Sequence, residues 1–177
     1  MSMVRLRALI VVGVLVVSAA VLVTVALIRD KQADSQIATG CANGDVPVDL
    51  RLPADRTKVK LNIFNATDSP GLASQVAEDF KSRKFTVVNA ANDPAAKRVE
   101  GVAQLRHGPK TVGAAWLVRA HFLNSAELVF DINRQDDTID VVLGSGFKQL
   151  GTTTETNQAL GQVGNPRLPE GTCDANA

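Results

Sequence analysis

No tyrosine occurs in the 177 residues, there is 1 tryptophan, and aromatics make up 4% of the chain. Nucleic-acid bases and sugars are commonly held on aromatic faces. This poverty argues against a stacking platform for bases and, more weakly, against an aromatic-lined sugar groove. The one tryptophan, Trp116, falls in an apolar helical pattern that points to the core. An excess of one charge sign is missing too. The 19 Lys and Arg stand against 18 Asp and Glu, for a formal net charge of +1. A nucleic-acid surface needs concentrated positive charge, and here the basic residues are scattered beside acids. No nucleic-acid partner is expected.

Histidine and cysteine are scarce, with 2 of each. A zinc site needs three or four convergent ligands, and His107 and His121 are far apart with no Cys or Glu at ligand spacing. No metal and no cofactor are expected. His121 is placed to cap carbonyls at a helix end, and His107 reads as a loop residue. No Gly-x-Ser-x-Gly elbow, phosphate-binding loop or Cys–His nucleophile pattern appears. Ser145 lies between glycines, in a pattern that ends a strand and starts no helix. No catalytic residue is assigned, and an enzyme ranks below a structural protein or a binding module.

What the chain does have is an uncharged apolar run from Ala8 to Ile28, between Arg5 and Arg7 on one side and Arg29, Asp30 and Lys31 on the other. About 20 such residues cross a bilayer as a helix. A cleaved signal peptide shares the charged start and apolar middle. Its apolar part is about 7 to 15 residues and closes on a small-x-small site; this run is longer, with no such site close behind it. Positive charge favours the side of Arg5 and Arg7 as cytoplasmic, by a narrow margin. Cys41 and Cys173 flank the rest of the chain. An even pair suggests a disulfide, which persists outside the reducing cytoplasm; two unrelated thiols are the alternative. The expected layout is a cytoplasmic start at 1–7, a single-pass anchor at 8–28 and an extracytoplasmic connector at 29–57. An α/β domain at 58–149 and a flexible tail at 150–177 follow.

Within 58–149 the strands are read from alternation and the helices from 3.6-residue spacing. Val59–Phe64 is a strand. Asn65–Gly71 turns, with Asp68 or Ser69 as helix cap and Pro70 in the first turn. Leu72, Val76, Ala77 and Phe80 give a helix with one apolar face. Phe85–Val88 is a strand, Ala90–Val99 a polar loop, and Gly101–Arg106 a strand. A second helix runs from Val112 to Phe122, followed by strands at Glu127–Ile132 and Thr138–Leu143, joined as a hairpin. The order β-α-β-β-α-β-β predicts a two-layer α/β sandwich with a mixed sheet and helices on one face. Within the connector, Val46–Leu52 is suited to an extended segment against the domain.

Several of these residues carry a likeness. Leu61-Asn62-Ile63-Phe64-Asn65-Ala66-Thr67, Gly71-Leu72-Ala73, Val76-Ala77, Phe80 and Lys84-Phe85-Thr86-Val87 resemble the opening strand, turn, helix and strand of the LytR C-terminal domain family. Val141-Val142-Leu143-Gly144-Ser145-Gly146-Phe147 is similar to the family's closing Val-Val-Leu-Gly-x-Asp-Phe, with Gly146 in place of the acid. The resemblance covers Val59 to Phe147. It implies a membrane-anchored, non-catalytic protein that supports cell-envelope integrity. It also implies partners among the membrane, envelope proteins or wall polymers. The same domain follows the catalytic module of LytR-CpsA-Psr glycopolymer ligases; the Arg- and Asp-rich residues of that module have no counterpart here. One binding site is worth testing: Asn65, Thr67, Asp68, Ser69 and Gly71 lead into a helix start, where free N–H groups attract anions such as a prenyl phosphate. The competing reading is that these side chains only satisfy the turn.

Overall fold

The computed structural model describes residues 13, 16–19, 41, 44–95 and 97–176. The chain divides into two units, Met1–Ile37 and Ala38–Ala177. Most of the apolar run at 8–28 lies outside the described residues; Gly13 and residues 16–19 are helical. Among the described residues no helix is long and apolar enough to cross a membrane.

In the second unit the chain opens with a short strand, β1 (Val46–Val48). There follow β2 (Lys60–Asn65), α1 (Leu72–Ser82), β3 (Thr86–Asn92) and β4 (Ala103–His107). Then come α2 (Val112–Ala120), β5 (Glu127–Phe130), β6 (Thr138–Leu143), α3 (Thr153–Val163) and β7 (Thr172–Asp174). A five-stranded sheet has the order β3-β2-β6-β4-β5. β2 is parallel to β3 and β6, β4 is parallel to β5, and β4 is antiparallel to β6.

This pairing explains why both helices share a layer. β2-α1-β3 and β4-α2-β5 are parallel crossovers, which are right-handed almost without exception. The two run in opposite directions and step toward opposite edges. A half-turn about the sheet normal relates them, and that rotation leaves both helices on one face. The core agrees: Leu61 and Ile63 of β2, Leu105 of β4 and Ile139 and Val141 of β6 meet Val76 and Phe80 of α1 and Ala115 and Val118 of α2. Phe80 is fully buried, with its ring edge-on to Phe85 at 5.4 Å.

Three expectations change. The hairpin between β5 and β6 is absent, because β6 is drawn between β2 and β4 and β5 goes to the sheet edge. Val141 and Val142 are buried on both sides of that central strand, as suits a strand with neighbours on either hand. The strand expected at Phe85–Val88 continues through Asn92, into the stretch expected as loop. The tail expected at 150–177 holds α3 and β7. α3 starts on a capping box in which the Thr152 hydroxyl accepts from the Glu155 N–H and the Glu155 carboxylate accepts from the Thr152 N–H. It buries Thr156 and Ala159. β7 pairs in parallel with β1, and a disulfide joins Cys41 to Cys173 with Cα atoms 5.3 Å apart. This small ribbon abuts the start of α2: the Gly113 N–H donates to the Asp49 carbonyl, and a Cβ at Gly113 would sit 2.2 Å from the Arg51 carbonyl oxygen. Only glycine fits there.

Both histidines differ from expectation. His107 ends β4 and is 2% exposed, against the Phe130 ring at 5.5 Å. Burial pulls its pKa down to about 4; a hydrogen bond to the Gly108 backbone opposes this and Arg134 adds to it. His121 caps no carbonyl with its ring. The ring is buried between Phe80 and Phe85, with Nδ1 3.1 Å from Arg83 Nη1. Burial, then Arg83 and Arg56, lowers it to about 3. Both rings are neutral packing groups at neutral pH. Trp116 is half-buried, with the Arg119 guanidinium 5.3 Å from its ring centre.

Candidate functional site

The C-terminal ends of β2 and β3 lie side by side, and the turn into α1 rises beside them. In parallel α/β sheets this end is where ligands usually sit. A cleft of about 360 Å³ opens here, lined by Asn65, Thr67 and Asp68 of the turn and by Asn92, Asp93, Lys97 and Arg98. Of the residues proposed from sequence, Asn65, Thr67 and Asp68 reach the cleft, while Ser69 and Gly71 stay in the turn behind it.

The turn largely satisfies itself. Asn65, 6% exposed, accepts from the Thr67 N–H at 3.0 Å and the Thr67 hydroxyl at 2.8 Å. Its amide nitrogen donates to the Ser69 carbonyl at 2.7 Å, and the Thr67 hydroxyl accepts from the Ser69 N–H at 3.1 Å. This is an Asx turn extended by a threonine. Asp68 and Ser69 do not cap α1. The N-cap is Gly71, left-handed at φ 77° and without a side-chain cap; glycine carries that conformation without strain. Asp68 instead pairs with Arg98. The first-turn amides of α1 therefore keep their N–H groups free of side-chain oxygens.

Sequence reading missed the other wall of the cleft. Asp93, whose side chain is 2% exposed, makes a two-pronged ion pair with Arg106 of β4 at 2.9 and 3.0 Å. The partners are 13 residues apart, and no local pattern signals the pair, since β2 and β6 stand between β3 and β4 in the sheet and only the tertiary fold brings Asp93 to Arg106. A second cleft of about 330 Å³ shares Lys97 and Arg98, adds Arg106 and runs toward Glu127. The open sheet face beyond it is polar and internally paired. Arg134 donates to Asp136, to Asp140 and to the Thr138 hydroxyl, Asn62 donates to Asp140, and Lys60 meets Asp137. Burial opposes ionisation of Asp136, but hydrogen bonds from Arg134 and Thr138 outweigh it and hold its pKa at about 2. Asp136 and Asp137 are thus structural anions in this turn. Among the described residues no group of three His, Cys, Asp or Glu side chains is arranged to hold a metal ion.

A family model described as LytR cell envelope-related transcriptional attenuator matches residues 58–147, the span from the turn before β2 to four residues past β6. The chain belongs to the LytR_C family. The cleft, the turn and the five-stranded sheet lie within the matched segment, whereas β1, α3, β7 and Cys41 lie outside it. The cell envelope integrity protein Cei of Mycobacterium tuberculosis is 30% identical, over 88% of this chain and 79% of its own length. The crystal structure of the soluble domain of a conserved hypothetical secreted protein from Mycobacterium marinum matches with a TM-score of 0.55 at 29% identity. That match covers 70% of this chain and 81% of the crystallised one.

Proposed function

We propose that this chain is a non-catalytic envelope protein: an α/β domain held outside the cytoplasm by an N-terminal membrane anchor at 8–28, supporting envelope integrity through contacts with proteins or envelope components. The Cys41–Cys173 bond carries this reading, because such a bond persists in oxidising compartments. The LytR_C match and the name of the mycobacterial relative agree with it. The decisive experiment is crosslinking in intact cells followed by identification of the neighbours. Envelope proteins or wall material should be recovered; cytosolic neighbours alone would reject the proposal. Purified protein should give no turnover of lipid-linked substrate, and measurable turnover would reject the non-catalytic part.

A second reading has its own support. The cleft holds Lys97 and Arg98 beside the turn that leads into α1, whose start no side chain caps, and basic side chains and uncapped helix starts each suit a phosphate group. In this reading the domain binds a prenyl-phosphate-linked precursor or a phosphate-bearing wall glycopolymer through the turn Asn65–Gly71. Titration with a short-chain prenyl phosphate should move the amide signals of Thr67 to Leu72 in a saturable way. Unmoved signals there would end it.

A further inference from the structure

The segment that carries α3 is fastened at both ends. Its far end runs into β7, where the Cys41–Cys173 bond holds it. Its near end is held by a cation. Arg83, the residue that closes α1, places Nη1 2.7 Å from the Gly151 carbonyl oxygen, just ahead of the Thr152 cap. The same Nη1 lies 3.1 Å from Nδ1 of His121, the residue that closes α2. The Gly151 N–H donates in turn to the His121 carbonyl at 2.8 Å. One guanidinium thus joins the ends of α1 and α2 to the start of α3.

This contact fixes the tautomer of the ring. A guanidinium donates, accepts nothing and stays charged. Nδ1 must therefore be the acceptor, and the ring's single proton sits on Nε2, which is buried without a hydrogen-bond partner. The ring is 1% exposed, with Phe80 and Phe85 edge-on at 5.7 and 5.2 Å. A second proton has to go on Nδ1, where its N–H would point at a donor. Among the described residues, the charged groups that bear on the ring are Arg83 and Arg56, both cations. Asp55, beside Arg56, is held by Thr57, and Glu155 of α3 by Thr152. Asp79 and Lys84, on either side of Arg83, are exposed, as is Lys148 ahead of Gly151. On α2 itself, Arg119 lies over Trp116.

We propose that His121 and Arg83 form a proton-operated latch on α3: a proton taken up from water at His121 Nδ1 displaces the Arg83 guanidinium, the Gly151 carbonyl loses that donor, and α3 leaves α2 while the disulfide keeps its far end attached. α3 is the element that gives way because it is the most lightly held. It buries two residues, Thr156 and Ala159, where α1 buries four and α2 six. Burial, then Arg83 and Arg56, lowers the pKa of the docked ring to about 3 from 6.5. The released form therefore takes the proton first, and acid favours release. Release uncovers Leu150, Ala159 and the side of α2 under them.

Hydrogen exchange of the full-length protein in mild detergent at pH 7, 5 and 4, corrected for the intrinsic pH dependence of exchange, tests this. Opening of α3 should rise roughly twentyfold from pH 7 to pH 5 and roughly two-hundredfold by pH 4, with a smaller rise in α1. His121→Gln keeps an acceptor for Arg83 and cannot take the proton, so its α3 should open to the same extent at all three pH values. A measurement on wild type stands beside the variant. The ring nitrogen signals of His121 at pH 7 should show a bare Nδ1 and a protonated Nε2. Opening of α3 that is flat from pH 7 to pH 4, or matched by α1, overturns the proposal. So does a proton on Nδ1 at pH 7, or a His121→Gln chain whose α3 still opens with acid as wild type does.

Discussion

The two crossover units share a topology and differ in what surrounds them. α1 buries one stripe, Ala73, Val76, Ala77 and Phe80, and leaves its other faces to solvent. α2 buries Val112, Gly113, Ala115, Leu117, Val118 and Ala120, almost its whole circumference. α3 packs against α2, and the β1–β7 ribbon abuts the start of α2. The second crossover is thus enclosed by segments outside the family match at 58–147. The first unit stays bare, and both the cleft at Asn65–Asp68 and the open β3 edge belong to it. One half of the molecule is braced and the other is accessible.

The core that both units share should give the largest effect. Phe80→Ala removes a fully buried ring from the point where α1, Phe85, Phe122 and His121 meet. It should cost about 3–5 kcal/mol in denaturant unfolding and loosen both halves together. Breaking the brace alone sharpens the contrast. Replacing Cys41 and Cys173 with serine opens a loop with a sequence separation of 132. This should cost about 2–5 kcal/mol, with faster hydrogen exchange in β7, α3 and the start of α2 and little change in α1. Equal loosening of α1 would contradict the division.

Acid should act next. The folded pKa values of His107, about 4, and His121, about 3, lie below the usual 6.5. The unfolded chain therefore binds more protons between those limits, and stability falls as pH drops from about 6.5 toward 4. The loss should be on the order of 2 kcal/mol per ring at pH 5, read as a lower denaturation midpoint than at pH 7. A flat profile over that window would mean the rings are not buried. The smallest effect belongs to the brace's own helix. Thr152→Ala removes the capping box of α3 and should cost about 1 kcal/mol, with exchange rising in α3 and not in α1.

The accessible half was the more legible in the sequence. Leu72, Val76, Ala77 and Phe80 mark a one-sided helix because one face of α1 meets solvent, and β2 alternates for the same reason, whereas β6 alternates only as far as Val141. The brace was hidden. Thr, Asn, Gly and Pro dominate 150–177, and that composition outweighed the local signals of α3, the Thr152–Glu155 box with Ala159 and Leu160. β1 and β7 are three residues each, too short for a period to register, and their pairing is set by chain ends far apart. The same limit applies to Asp93–Arg106 and to the buried histidines, whose surroundings come from distant elements. The turn Asn65–Gly71 was found by its residue types. That its side chains bind one another, and that Gly71 is the cap, depends on a left-handed φ that residue types alone do not fix.

Peptide mass spectrometry of protein taken from cells, digested without reduction, tests the central claim most directly. The account predicts Cys41 and Cys173 in one linked peptide, as expected of a stapled domain outside the cytoplasm. Recovery of both as free, alkylatable thiols would contradict it.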